Sequence, residues 1–260
     1  MSLLRKMGMV LAAFVLLAAG CVTTLPSAVT LNVSAASSMS NALNEINALY
    51  TAKNSKVTIV SNYASSGALQ TQIEQGAPCD VFLSAAAPQM DNLAAKGLLL
   101  DGSRFDLLIN RIVLVVPKNS TLGLTSFTDL TKEEVKIIAL GDPASVPAGA
   151  YARQAFTQLG ILSAISAKTP VYGANVTQVL QYVSSGNADA GIVYSTDALS
   201  DSNVMVVADG PEEVNNTIVY PAAIIKNSKV AAAAQEYLDF LRGEEARAIF
   251  EKYGFALAGA

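Results

Sequence analysis

The sequence predicts an α/β protein, because apolar runs of strand length alternate with amphipathic helical patterns along almost the whole chain. Hydrophobic residues make up 52% of the 260 positions, which is ample for a buried core in one large or two small domains. Neither a repeat of solenoid period nor a low-complexity block interrupts this alternation. The pattern therefore favours mainly parallel sheets flanked by helices.

Seven runs have the length and composition of strands: residues 29–33, 57–60, 81–84, 112–117, 137–140, 190–194 and 204–207. Seven stretches have the apolar spacing of helices: residues 40–50, 68–74, 88–96, 150–159, 176–184, 230–241 and 244–253. The apolar runs at 112–116 and 218–225 are candidate crossings between two lobes. A ligand would then lie in the cleft between the lobes, near the carboxyl ends of the strands.

The first 20 residues have the pattern of an export signal: basic residues, an apolar stretch too short to span a membrane, and small residues at the expected cleavage site. Cys21 follows directly, which resembles the lipobox of bacterial lipoproteins, although Ala18 stands where leucine is usual. The resemblance implies that Cys21 is lipidated and becomes the mature N-terminus, with residues 21–27 as a tether. Ordinary cleavage, or a leader that stays attached, is the alternative.

Several kinds of chemistry are absent from the sequence. There is no histidine, which excludes Ser-His-Asp and Cys-His catalytic sets and histidine metal sites, and no P-loop or cysteine-pair metal motif occurs. The net charge of −4, without a basic cluster, argues against nucleic acid as a partner. Cys79 is alone in the mature body, so it is predicted to be a packed residue. We therefore expect neither an enzyme nor a bound cofactor.

Two hydroxyl-rich turns each follow a predicted strand and precede a helical pattern. The first contains Ser37, Ser38 and Ser40, and the second contains Ser65 and Ser66. Free backbone N–H groups and the positive end of a helix dipole favour an anion at such a turn, and the hydroxyls add neutral donors. Serine is also a common N-cap, so helix capping explains either turn taken alone. As a pair, the two turns could face one small oxyanion.

Further motifs follow these two turns in a fixed order along the mature chain: Ala35-Ala36-Ser37-Ser38-Met39, Tyr63-Ala64-Ser65-Ser66, residues 72–85, Gly141-Asp142-Pro143 with residues 146–152, Gly191-Ile192-Val193-Tyr194, and residues 249–255. In this order they resemble the periplasmic molybdate-binding proteins, the substrate-binding components of molybdate ABC transporters. The resemblance implies a class II periplasmic binding protein fold, with two α/β lobes joined by a two-crossing hinge and the ligand in the cleft. Lobe I would comprise residues 28–110 and 222–260, and lobe II residues 111–221.

The resemblance also implies which residues bind the oxyanion: Ser38, Ser66, Ala148, Val176 and Tyr194. The two serines and the tyrosine would donate from hydroxyls, and the other two residues from the backbone. Ser37 replaces Ser38 if the register of the first turn shifts by one. In the same way, the backbone donors within residues 143–149 and 172–177 could be shifted by one residue. Direct ligands to a metal cation are not implied, and Asp80 and Asp142 resemble turn and strand-end residues.

A tetrahedral dianion such as molybdate or tungstate offers only acceptors, so neutral donors satisfy it without lysine or arginine. The resemblance accordingly implies a monomeric extracytoplasmic solute-binding protein, lipid-anchored at the membrane, that delivers molybdate or tungstate to an ABC permease with its ATPase. A binder of another tetrahedral oxyanion such as sulfate is one alternative. A serine hydrolase is the other, and it would have to work without histidine.

Overall fold

The computed structural model describes residues 28–259, so the predicted export signal, Cys21, the predicted tether and residue 260 lie outside the described residues. The strands are β1 (Val29–Ala36), β2 (Val57–Ala64), β3 (Val81–Leu83), β4 (Phe105–Ile109), β5 (Ile112–Pro117), β6 (Ile138–Gly141), β7 (Val171–Gly173), β8 (Ala190–Tyr194), β9 (Val204–Asp209), β10 (Val219–Ile224) and β11 (Ala256–Leu257).

The helices are α1 (Ser40–Lys53), α2 (Ser66–Glu74), α3 (Ala87–Ala95), α4 (Pro147–Gln158), α5 (Leu162–Ala167), α6 (Val176–Ser184), α7 (Ser195–Leu199), α8 (Glu212–Asn215), α9 (Ala231–Arg242) and α10 (Glu244–Lys252). Short 3-10 turns lie at Ser37–Met39 and Phe127–Thr131. Between residues 28 and 259, none of the helices is both long and apolar enough to cross a membrane.

The strands form two separate sheets, as expected for two α/β lobes. The first has the order β11-β4-β10-β3-β1-β2, and the second has the order β7-β6-β8-β5-β9. The expectation of mainly parallel sheets is wrong, because both sheets are mixed. β1 pairs in parallel with β2 and β3, and β6 with β7 and β8, whereas β10 and β5 pair antiparallel with both of their neighbours. The antiparallel pairings arise where the chain crosses between the lobes and re-enters a sheet.

The first sheet is covered by helices on both faces. Phe82 of β3 packs with Leu69 of α2 and Met90 of α3 in one hydrophobic cluster. Its neighbours Val81 and Leu83 belong to a second, larger hydrophobic cluster, which also contains the buried side chains of α1 and α9. Successive side chains of a strand point to opposite faces, so this short strand contributes to both clusters. Burial on both faces explains why its sequence is a continuous apolar run.

Two segments join the lobes. Asn110 and Arg111 connect β4 to β5, and residues 210–218 connect β9 to β10, so both crossings adjoin the apolar runs that the sequence analysis selects. Val219 of β10 pairs with Ile109 of β4. Residues 219–221 therefore belong to the first sheet, whereas the sequence analysis assigns them to lobe II.

The turns that carry the predicted site all follow carboxyl ends of strands. In the first sheet, the 3-10 turn Ser37–Met39 follows β1, and the cap Ser65 follows β2. In the second sheet, Pro147 begins the helix after β6, Val176 begins the helix after β7, and Tyr194 ends β8. Because β1 and β2 run in parallel, as do β6, β7 and β8, each lobe presents its turns at one edge. This arrangement lets five separate segments converge on the cleft.

Candidate functional site

The residues selected from the sequence meet at one small cavity between the lobes. Its volume is about 10 Å³, close to the room that one water-sized sphere needs. The lining consists of Ala36, Ser37, Ser38, Ala64, Ser65, Ser66, Ala85, Val146, Pro147, Ala148, Val176 and Tyr194. The structure thus brings together all five predicted oxyanion-binding residues, with the alternative Ser37 beside them. Such a cavity suits a small compact ligand and not an extended organic one.

Three helices begin at this cavity: α2 at Ser66, α4 at Pro147 and α6 at Val176. Amides of a first helical turn have no acceptor within their own helix, and the helix dipole adds partial positive charge there. Because proline has no N–H, the first amide that α4 can offer is that of Ala148. The three helix ends therefore attract an anion although they carry no formal charge themselves.

Side-chain caps satisfy the third amide of two of these helices. The hydroxyl of Ser65 accepts from the Ala68 amide at 3.4 Å, and the side-chain oxygen of Asn175 accepts from the Gln178 amide at 2.9 Å. Each cap engages an amide further along the turn and leaves the first one of its helix for the cavity. Capping and anion binding therefore use different amides, and the two readings of these turns are compatible.

The hydroxyl of Ser66 is oriented by a backbone donor. Its oxygen accepts from the Ala85 amide at 2.9 Å, and the residue is completely buried. Since that oxygen already accepts a hydrogen bond from the protein, its own proton is free to be donated. Ser66 is accordingly a preset donor at the cavity wall.

Tyr194 supplies a hydroxyl from the second lobe. Burial raises the pKa of this phenol well above its ordinary value, so it keeps its proton. The hydroxyl donates to the Ala85 carbonyl across the cleft at 3.3 Å, at the long end of the hydrogen-bonding range. An anion in the cavity would compete well for this proton, because charge-assisted hydrogen bonds are about twice as strong as neutral ones.

Ser38 is linked to a residue that the sequence analysis missed. Its hydroxyl oxygen lies 3.0 Å from the hydroxyl of Tyr220, which is buried in β10. Tyr220 stands in the apolar run at 218–225, and a hydroxyl within such a run was the available signal. Ser37 also lines the cavity, so Ser37 and Ser38 are both placed to donate, whereas Ser40 does not line it.

The cavity attracts anions without positive side chains. Of the described residues that line it, none is charged. A buried acid, Asp197, shares an adjoining cavity of about 70 Å³ with Ser38, and the sequence analysis also missed it. Burial raises the pKa of Asp197 to about 7, although its carboxylate accepts from the Tyr194 amide at 3.2 Å. Burial therefore keeps this acid protonated to a higher pH than an exposed aspartate.

The two lobes touch directly at the rim of the cavity. The amide of Gly67 in α2 donates to the carbonyl of Ser145, in the loop before α4, at 3.0 Å. A Cβ atom added at Gly67 would lie 2.5 Å from that carbonyl oxygen. Only glycine allows the backbones to approach this closely, so the closed cleft depends on this position.

The two aspartates that stand out in the sequence have structural roles. The carboxylate of Asp80 accepts from the backbone and side chain of Asn32 and from the Ser228 hydroxyl. Asp142 accepts from the Ala144 amide in the turn after β6. Cys79 is buried, and burial raises its thiol pKa to about 11, which fits a packed residue. Among residues 28–259, no group of three or more acidic, cysteine or histidine residues is placed to hold a metal ion.

The protein family whose sequence pattern matches this chain, over residues 31–256, is described as bacterial extracellular solute-binding protein. The chain belongs to this family. This solute-binding protein therefore has its place outside the cytoplasm, and its relatives bind solutes rather than transform them.

Individual relatives agree with this assignment. YvgL of Bacillus subtilis, named as an ABC transporter substrate-binding lipoprotein, is 45% identical and aligns over 92% of this chain and 93% of its own. The molybdate-binding protein ModA of Escherichia coli is 36% identical, over 87% of this chain and 89% of its own. The periplasmic molybdate-binding protein of Azotobacter vinelandii superposes with a TM-score of 0.79 at 27% identity, covering 88% of this chain and 99% of that chain. These similarities confirm the resemblance drawn from the motifs and the two-lobed fold it implied.

Proposed function

We propose that this protein captures molybdate or tungstate outside the cytoplasm and hands the anion to an ABC permease that an ATPase drives. Two of the relatives described above are named for molybdate binding. The observation that carries the proposal is the uncharged cavity, whose wall combines hydroxyls, among them those of Ser38, Ser66 and Tyr194, with the first amides of three helices. A fully deprotonated tetrahedral dianion presents only acceptors, so it matches this wall on every side.

The energetics are sufficient for tight binding. Each hydrogen bond to a charged partner contributes about 1.5–3 kcal/mol, and about seven such bonds would give a gross sum of roughly 10–20 kcal/mol. Association costs roughly 4–15 kcal/mol in lost freedom. The remainder is compatible with dissociation constants from micromolar to nanomolar.

Two kinds of oxyanion should be rejected by the same wall. A phosphate that keeps a proton at neutral pH brings a donor to a site built from donors, and an unsatisfied buried donor costs about 1–3 kcal/mol. Sulfate is deprotonated but smaller, so donors held by five separate segments would reach it poorly. Tungstate resembles molybdate in size and charge, and we expect similar affinities for the two.

The membrane partner and the anchor form a further part of the proposal. Cys21 follows an export signal with small residues at the expected cleavage site, and the Bacillus subtilis relative is named as a lipoprotein. A lipid on Cys21 would hold this protein beside its permease. We expect the lipidated protein to be a monomer that needs no cofactor besides its anion.

Serine substitutions test the proposed site. The variants Ser66→Ala and Ser38→Ala each remove one donor to a charged ligand, so molybdate should bind about 10- to 150-fold more weakly in either variant. The matched control is Ser126→Ala, which removes a serine cap at the 3-10 turn Phe127–Thr131 in the second lobe. Its affinity should equal that of the unmodified protein. Unchanged molybdate affinity in both cavity variants would overturn the site.

A further inference from the structure

The side chain of Asn110, in the first crossing between the lobes, has an orientation that a backbone amide determines. Its Oδ1 atom accepts from the Arg111 N–H at 2.8 Å and from the Ser195 hydroxyl at 3.0 Å. A backbone N–H can only donate, so the oxygen of the amide must be the atom that faces it. The Nδ2 donor then faces the hydroxyls of Thr196, at 3.0 Å, and Tyr220, at 3.2 Å.

This orientation determines which way the Tyr220 hydroxyl points. Its oxygen accepts from Asn110, and it has one proton of its own. Burial raises the pKa of Tyr220 well above its ordinary value, so that proton stays in place. Among the hydrogen bonds of residues 28–259, the second partner of the Tyr220 hydroxyl is the hydroxyl oxygen of Ser38, at 3.0 Å, which can accept this proton.

The Tyr220 hydroxyl in turn determines where the proton of the Ser38 hydroxyl can point. An oxygen that accepts the Tyr220 proton has its own proton left over, and Ser38 lines the cavity. We propose that Asn110 and Tyr220 are positioning residues that direct the Ser38 hydroxyl proton into the anion cavity. The inference rests on the proposed function, because it gives the Ser38 donor of that site its direction.

The chain of hydrogen bonds from Asn110 through Tyr220 to Ser38, here called the relay, lies in the first lobe and in its link to the second. Ser38 follows β1, Tyr220 lies in β10, and Asn110 directly follows β4, and these three strands belong to one sheet. The three residues are therefore connected through one sheet. An unconstrained serine hydroxyl could present either a lone pair or a proton, and a lone pair facing an oxyanion is repulsive.

The variant Asn110→Asp tests the relay by reversing it. An aspartate of nearly the same shape still accepts from Arg111 and Ser195, but its second oxygen must now accept the Tyr220 proton. Ser38 would then donate to Tyr220 and turn a lone pair toward the cavity. Loss of one hydrogen bond to a charged ligand predicts molybdate binding weaker by about 10- to 150-fold.

A double-mutant cycle separates the relay from the added charge. Without the Tyr220 hydroxyl, the carboxylate can no longer act on Ser38, so Asn110→Asp should cost at least about tenfold less affinity when combined with Tyr220→Phe. The variant Asn41→Asp is the control, because it adds the same charge in the cavity adjoining Ser38 without touching the relay. Equal losses from Asn110→Asp in both backgrounds would overturn the inference.

A second measurement on the ligand-free, unmodified protein does not depend on molybdate or on variants. With ¹³C-labelled tyrosine, NMR should show a slowly exchanging hydroxyl proton coupled to the Tyr220 ring and close to the Ser38 β-protons. Absence of that contact would contradict the relay whatever the ligand. If the contact is present but molybdate does not bind, the relay stands and the proposed function fails.

Discussion

Replacing Gly67 by alanine should separate ligand affinity from stability. Gly67 lies in the first turn of α2, and its amide donates to the Ser145 carbonyl of the other lobe. In the closed protein a Cβ atom at this position would lie 2.5 Å from that oxygen and 2.8 Å from the Ser145 Cα. Both atoms belong to the backbone, so no side-chain rotation relieves the overlap. The lobes can only respond by closing less far.

The magnitude follows from the two contacts that are disturbed. Overpacking of this kind costs about 1–3 kcal/mol, and weakening the hydrogen bond costs about 0.5–1.5 kcal/mol. A combined loss of about 2–4 kcal/mol corresponds to molybdate binding weaker by roughly 30- to 1,000-fold. We expect the ligand-free protein to open and to lose this contact, and alanine is favoured over glycine in a helix by about 0.8–1 kcal/mol. Its stability should therefore stay equal or rise.

Calorimetric titration with molybdate and urea unfolding without ligand measure the two effects. The control is Gly243→Ala, at the start of α10 in the first lobe, where the nearest atom to the new Cβ is the Phe240 carbonyl oxygen at 3.2 Å. That variant should keep its affinity. Unchanged affinity in Gly67→Ala would refute the role of this contact in closure, as would an equal loss in both variants.

Three further predictions concern buried groups. Because burial raises the pKa of Asp197 to about 7 from an ordinary value of 3.8, its contribution to stability is complete below about pH 4 and is lost as the pH rises toward 7. Urea unfolding should show Asp197→Asn gaining stability relative to the unmodified protein between about pH 5 and pH 8, by about 2–3 kcal/mol, and an equal difference at both pH values would contradict this. Cys79, whose thiol pKa burial raises to about 11, should react with a thiol reagent at pH 8 only as fast as the protein opens, and rapid reaction of the native protein would show an accessible thiol. Asp80→Ala should lower the free energy of unfolding by about 2–4 kcal/mol, since it leaves Asn32 without its acceptor, while molybdate affinity stays unchanged; a change confined to affinity would assign Asp80 to the site.

The elements predicted best are those with a strong local signal. The helix at residues 176–184 has the predicted bounds, because Asn175 caps it and its apolar spacing is regular. α4 begins at Pro147, three residues before the prediction, since proline fits the first helical position and was interpreted as part of the preceding turn. The apolar run at 218–225 is predicted as a crossing between the lobes and not as the strand β10. The strands β4, β7 and β11 were missed as well. They are short, and their partners are distant in sequence, so their pairing is not visible in a local pattern.

The residues of the site also differ in whether the sequence alone could predict them. Ser66 and Val176 could be selected because each lies at a recognisable strand-to-helix turn and within a motif of the family. Asn110, Asp197 and Tyr220 could not, because their roles depend on burial and on hydrogen bonds between residues far apart in sequence, which no local pattern shows. Sequence reasoning therefore found the residues that line the cavity and missed those that orient them.

The central claim is that the cavity binds a deprotonated tetrahedral dianion through neutral donors alone. Residues 28–260, which contain every described strand and helix, should be titrated calorimetrically near neutral pH with molybdate, tungstate, sulfate and phosphate. We expect tight one-to-one binding of molybdate and tungstate, with little or no heat from sulfate and phosphate. Tight sulfate binding, or no binding of any of the four anions, would contradict the account.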